Sequence, residues 1–105
     1  MSLDVSLTTK SEVYSGNITH NLGKLAGECG LYYPLWRPEE ISIKKAGELI
    51  PFLNAGLHLL KTHGEKFRQY EPENKWGTIY NLIEFTEAYL KACKENPDAE
   101  IGVYR

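Results

Sequence analysis

The two ends of the chain each carry a short segment in which apolar and polar residues alternate. Leu3, Val5 and Leu7 alternate with polar residues near the start, and Ile101 and Val103 do so near the end. This period of two is typical of half-buried β-strands. Two isolated strands make a marginal sheet. The terminal strands are therefore predicted to pair with each other across a helical layer, or to lend an edge to another subunit.

Three segments between these strands have helical spacing of their apolar residues. They are predicted to be helices over about 17–29, 44–63 and 78–95. Pro51 lies inside the second segment and removes one backbone hydrogen bond, which predicts a kink there or two helices joined end to end. We therefore expect an α+β fold in which three main helices pack on a small two-stranded sheet. At 105 residues the chain has room for one core, so a single domain is predicted.

Composition limits the classes of partner. The formal net charge is −2, which gives no general electrostatic support for binding duplex nucleic acid. No apolar run approaches the roughly 20 residues that a membrane span needs, and no signal-peptide pattern opens the chain. These features predict a soluble, cytoplasmic protein that does not associate with membranes.

Cysteine and histidine spacing gives no sign of a metal site or cofactor. Cys29 and Cys93 form no C-x-x-C or zinc-ligand pattern, and they are predicted to be buried free thiols, with a disulfide as the alternative. His58 and His63 are five residues apart and so lie on different faces of a helix. No phosphate-binding glycine loop or nucleophile motif is visible. No metal, cofactor or catalytic set is predicted.

A polar stripe follows the predicted first helix. Asn17, His20, Asn21 and Lys24 lie opposite its apolar face, where they form either a solvated face or one wall of a binding site. Three glycines form a neighbouring ridge: Gly16, Gly23 and Gly27. Glycine inside a helix costs roughly 1 kcal/mol relative to alanine, so the ridge predicts close approach of another helix, a subunit or a ligand.

The next segment, "LYYPLWRPEE", is rich in aromatic residues and is predicted to be a loop. Tyr32, Tyr33 and Trp36 offer flat faces for stacking, and Arg37 offers a donor fork suited to carboxylate or phosphate. The alternative is a packed loop whose aromatic rings cover the core. Pro38 and the two acids after it fit the first turn of a short helix.

One cleft is expected to bring the stripe and the loop together. The residues predicted to converge there are Asn17, His20, Asn21, Trp36 and Arg37, with Lys24, Tyr32 and Tyr33 beside them. Trp76 lies in a separate polar loop. It is predicted to cover the start of the third helix, or else to form a second stacking wall.

The stretches "LDVSLTT", "VYSGNITHNLGKLA" and "LWRPEE" resemble a group of small bacterial and phage-encoded proteins. The resemblance covers much of the first 40 residues and, more weakly, the stretch from Trp76 to Glu100. No activity is attached to the group, so no residue role is carried over. The resemblance implies that the gene belongs to a phage or mobile element.

Three hypotheses about function follow. The first is a non-enzymatic pocket for a small anionic aromatic ligand such as a nucleotide, which would suit a phage protein that sequesters a signalling molecule. The second is an interaction protein whose aromatic loop blocks a macromolecular partner. The third is an enzyme in which His20 acts as general acid or base.

A homo-oligomer, most simply a dimer, is also expected because a two-stranded sheet leaves surface uncovered.

Overall fold

The computed structural model describes all 105 residues and confirms the α+β class. The elements in chain order are β1 (Ser2–Thr8), β2 (Glu12–Thr19), α1 (Gly23–Glu28), α2 (Tyr32–Trp36), α3 (Ala46–Thr62), α4 (Gly64–Arg68), α5 (Ile79–Glu95) and β3 (Glu100–Tyr104). Two further turns of 3-10 helix cover His20–Leu22 and Pro38–Ile41.

The sheet has three antiparallel strands in the order β2-β1-β3, with β1 in the middle. The two terminal strands pair as predicted, and Val5 lies opposite Val103. The prediction of only two strands is wrong, because β2 pairs along the other edge of β1 and places Gly16 opposite Val5. β2 therefore pairs with an edge of the sheet for which a second subunit was one predicted partner. The dimer stays a prediction.

The first predicted helix is shorter than its apolar spacing indicated. Residues 17–19 end β2, and α-helix begins only at Gly23. Ile18 and Leu22 are four residues apart and imitate a helical face, but Ile18 points into the core from the sheet. The backbone of β2 is hydrogen-bonded to β1, and this long-range pairing overrides the local pattern.

The two long helices agree closely with the predicted segments. α3 is one continuous helix with Pro51 inside it, so the alternative of two helices joined end to end is wrong. α5 begins after Thr78, whose hydroxyl accepts a hydrogen bond from the Asn81 amide at 3.2 Å. The Asn81 side chain in turn accepts one from the Thr78 amide at 2.8 Å. This reciprocal pair caps the helix.

The core lies between the inner face of the sheet and the helices. The two long helices, α3 and α5, pack against each other, and α5 also packs on β2. The outer face of the sheet carries polar side chains, among them Asp4 and Asn17. None of the helices is long and apolar enough to cross a membrane.

Gly56 of α3 lies where the helix packs on Leu31. A Cβ built at Gly56 would lie 2.4 Å from Leu31 Cγ, and Leu31 is fully buried. We expect Gly56→Ala to lower the free energy of unfolding, because overpacking costs about 1–3 kcal/mol and outweighs the gain in helix propensity. Urea denaturation measures this. Gly27→Ala in α1 is the control: its Cβ would meet nothing nearer than 4.0 Å, so it should be neutral or stabilising. Equal effects of the two substitutions would contradict this packing.

Both cysteines are buried free thiols, as predicted. Burial raises the pKa of Cys29 to about 11 and that of Cys93 to about 12.

An unfolded chain loses these thiol protons near pH 8.5, whereas the folded chain keeps them. The folded state should therefore lose stability as pH rises from about 8.5 towards those higher values. Urea denaturation between pH 7.5 and 10.5, in reductant, measures the loss. It should be smaller in Cys29→Ala/Cys93→Ala, and an unchanged slope in that variant would exclude the thiols as its source.

Candidate functional site

Trp36 is the centre of the aromatic segment and is buried, with 3% of its surface exposed. Its indole N–H donates a hydrogen bond to His20 Nδ1 at 2.9 Å. Its ring stacks on Tyr32, with centroids 5.5 Å apart. Because Nδ1 accepts this bond, the proton of the neutral His20 imidazole lies on Nε2. The indole and the imidazole therefore satisfy each other within the fold.

Arg37 extends the same packed group. Its Nε donates to the Tyr32 hydroxyl at 3.1 Å, and its Nη1 forms an ion pair with Glu40 at 2.7 Å. These two partners raise the pKa of Arg37 above its usual range. The charge of the guanidinium is therefore already compensated by a carboxylate within the fold.

The remaining predicted residues are exposed, and of these Tyr33 contacts the packed group: its ring lies edge-on to Tyr32, with centroids 5.4 Å apart. Asn17 lies on the outer face of the sheet and donates to Ser2 Oγ at 2.9 Å and to Asp4 Oδ1. Asn21, Lys24 and Tyr33 are exposed. The segment predicted as a loop forms α2 and a 3-10 turn, and the Tyr32 ring lies 3.7 Å from a Cβ built at Gly23. Gly23 and Gly27 thus face Tyr32 of α2, whereas Gly16 lies in β2 and faces Tyr14 and Phe85, so the predicted ridge of three glycines is wrong.

The predicted cleft does not form as one cavity. His20, Tyr32, Trp36 and Arg37 are in contact, but they line none of the five main cavities in the surface. The structure therefore favours the packed alternative for the aromatic segment. A ligand role for these residues stays a prediction.

One cavity lies where α3, α4 and α5 meet, and it combines cations with an exposed aromatic ring. We call it the basic pocket; its volume is about 690 Å³. Its lining residues are Leu60, Lys61, Thr62, His63, Gly64, Glu65, Lys66, Arg68, Ile79, Tyr80 and Ile83. Three of the 11 are cationic and only one is acidic, although the chain as a whole has a net charge of −2.

Local folding explains how the cations reach this pocket. α3 ends at Thr62, and the chain turns at His63 before α4 begins. Phe67 is buried and anchors α4 to the core. Lys66 and Arg68 flank Phe67 in the sequence, and both are exposed. One apolar anchor therefore presents two cations to solvent on the same short helix.

The cations of the basic pocket differ in how they are paired. Lys61 forms an ion pair with Glu87 at 2.6 Å. Lys66 and Arg68 belong to none of the four ion pairs in the structure. Arg68 instead donates to the Tyr80 hydroxyl, and its Cζ lies 5.3 Å from the centre of that ring. Two positive charges therefore remain without a carboxylate partner.

His63 offers the pocket a defined ring nitrogen. The Thr62 hydroxyl donates to the His58 carbonyl at 2.7 Å, so it accepts from His63 Nδ1, which is 2.8 Å away. The proton of the neutral imidazole is then on Nδ1, and Nε2 has a free lone pair. When His63 is protonated, Nε2 becomes a further donor.

The basic pocket is not among the sites predicted from the sequence, although the sequence contains a signal for it. The segment "KTHGEKFR" holds three cations and a histidine within eight residues, with one acid among them. The convergence of these side chains depends on the turn at His63 and on Tyr80 from α5, which is 17 residues further along the chain.

Comparison with known proteins adds no relative from which a role could be transferred. No family model matches the chain, and no curated protein or solved structure matches it either. The chemistry of the pocket itself therefore carries the functional argument.

Proposed function

We propose that this protein binds a small anionic molecule with a flat ring, of which a nucleotide is the simplest example, in the basic pocket. The observation that carries the proposal is that Lys66 and Arg68 lack acid partners beside an exposed Tyr80. The ligand would be held without chemical conversion, as in a protein that sequesters a nucleotide.

The chemistry of the pocket suits phosphate. Hydrogen bonds to charged groups contribute roughly 1.5–3 kcal/mol each, and both Lys66 and Arg68 have donors free for them. Tyr80 is 58% exposed and offers a ring for stacking. The volume of about 690 Å³ is within the range of small-molecule sites. Glu65 is the only lining acid, and it would repel an anion placed near it.

A calorimetric titration with four compounds tests the proposal. ADP carries both phosphate and ring, adenosine lacks the phosphates, pyrophosphate lacks the ring, and inorganic phosphate is the smallest anion. We expect ADP to bind at least tenfold more tightly than adenosine and more tightly than pyrophosphate, with an affinity that falls as salt is added. Equal binding of ADP and adenosine, or no heat with any compound, would overturn the proposal.

Recovery of the ligand separates binding from catalysis. After incubation with the wild-type protein, chromatography should return ADP chemically unchanged. Conversion of ADP would instead support an enzyme, and His63→Ala and His20→Ala would then show which imidazole is needed.

A further inference from the structure

A second cavity lies on the opposite side of α5 from the basic pocket. We call it the Trp76 cleft; its volume is about 460 Å³. Its lining residues are Tyr14, Gly16, Asn17, Ile18, Thr19, Trp76, Gly77, Asn81, Glu84 and Phe85. One wall comes from β2 and the other from the first half of α5. Tyr14 and Phe85 meet over Gly16, where a Cβ would lie 2.8 Å from the Tyr14 hydroxyl oxygen and 3.3 Å from the Phe85 ring.

The Trp76 side chain is largely exposed, although the backbone on both sides of it makes close contacts. The next residue, Gly77, has a φ of +107°, and a Cβ there would lie 2.9 Å from both Leu22 and Thr19. The Trp76 amide donates to Asn74 Oδ1 at 3.0 Å. Yet 70% of the Trp76 surface is exposed, so the prediction that it covers the start of α5 is wrong. The loop backbone is therefore anchored on both sides of an indole that is mostly exposed.

The lining of the cleft is acidic, because its neutral polar groups Tyr14, Thr19 and Asn81 offer both donors and acceptors and its one charge is negative. Glu84 is its only charged residue, and it belongs to no ion pair. The Asn17 amide nitrogen already donates to Ser2 and Asp4, which leaves its oxygen free. No cationic side chain lines the cavity. A carboxylate beside an exposed indole is the combination that attracts an organic cation and repels an anion.

We propose that the Trp76 cleft binds an organic ammonium or guanidinium group. The cation would lie over the face of Trp76, which is the best of the aromatic residues for this contact, and within reach of the Glu84 carboxylate. The alkyl part of the ligand would contact Phe85 and Tyr14. This site is independent of the basic pocket, because the two cavities share no lining residue.

Tryptophan fluorescence tests the proposal, because Trp36 is buried and Trp76 is the only exposed indole. Choline is titrated alongside 3,3-dimethylbutan-1-ol, its neutral isostere. We expect saturable quenching by choline and at least fivefold weaker binding of the isostere. Free arginine and a peptide with an internal arginine then show whether the cation comes from a small molecule or from a peptide side chain.

Two carboxylate variants localise the effect. Glu84→Gln should weaken choline binding at least threefold, whereas Glu73→Gln, which removes an exposed acid outside the cleft near the same loop, should leave it unchanged. In Trp76→Ala, choline should no longer shift the Asn81 and Glu84 amide signals as in the wild type. Equal binding of choline and its isostere, equal effects of the two carboxylate variants, or no saturable response to choline would each overturn the proposal.

Discussion

Trp36→Ala is expected to lower the free energy of unfolding by about 3–5 kcal/mol, the usual cost of truncating a large buried aromatic residue. The indole is 3% exposed, stacks on Tyr32 and donates to His20. Its removal leaves a cavity and an imidazole nitrogen without its donor. Urea denaturation followed by circular dichroism measures the loss.

Trp76→Ala is the matched control for this truncation. The same side chain is removed, but from a position that is 70% exposed, so the free energy of unfolding should change by no more than about 0.5 kcal/mol. If the two truncations cost the same, the contrast between a structural and a surface tryptophan would be wrong.

Arg68→Ala is expected to weaken ADP binding about ten- to hundredfold, because a charge-assisted hydrogen bond is worth roughly 1.5–3 kcal/mol. The fold should persist, since the guanidinium is exposed and its one side-chain partner is the Tyr80 hydroxyl. Lys66→Ala should act in the same direction. Calorimetry measures the affinity and thermal denaturation checks the fold.

Arg37→Ala is the control for Arg68→Ala, because it removes the same charge from the chain. Its guanidinium is already paired with Glu40 and hydrogen-bonded to Tyr32, so ADP affinity should change less than twofold. The opposite result, with Arg37 essential and Arg68 dispensable, would favour the cleft that the sequence predicts around the aromatic segment.

The elements that the sequence predicted well are those whose pattern is local and long. α3 and α5 each repeat an apolar face over 17 residues, and the alternation of β1 is strict enough to identify a strand. β2 was misassigned because Ile18 and Leu22 fit a helical spacing, while the strand is stabilised by pairing with residues 2–8. Such pairing is not encoded in any local period.

The candidate site was less predictable than the fold. His20, Trp36 and Arg37 were selected because their side chains can hydrogen-bond or stack on a ligand. Such side chains can also hydrogen-bond one another inside the fold, as Trp36 does with His20. The basic pocket is recognised as a candidate site by the cations in it that have no carboxylate partner. Lys61 is neutralised by Glu87 from another helix, whereas Lys66 is not, and only the folded arrangement distinguishes these two lysines.

The most direct test of the central claim is a ¹H–¹⁵N correlation spectrum of the labelled wild-type protein recorded during a titration with ADP. The account predicts shifts concentrated at residues 60–68 and 79–83, which line the basic pocket, with little change at residues 31–40. Shifts centred on residues 31–40 and His20, or a spectrum that ADP leaves unchanged, would contradict it.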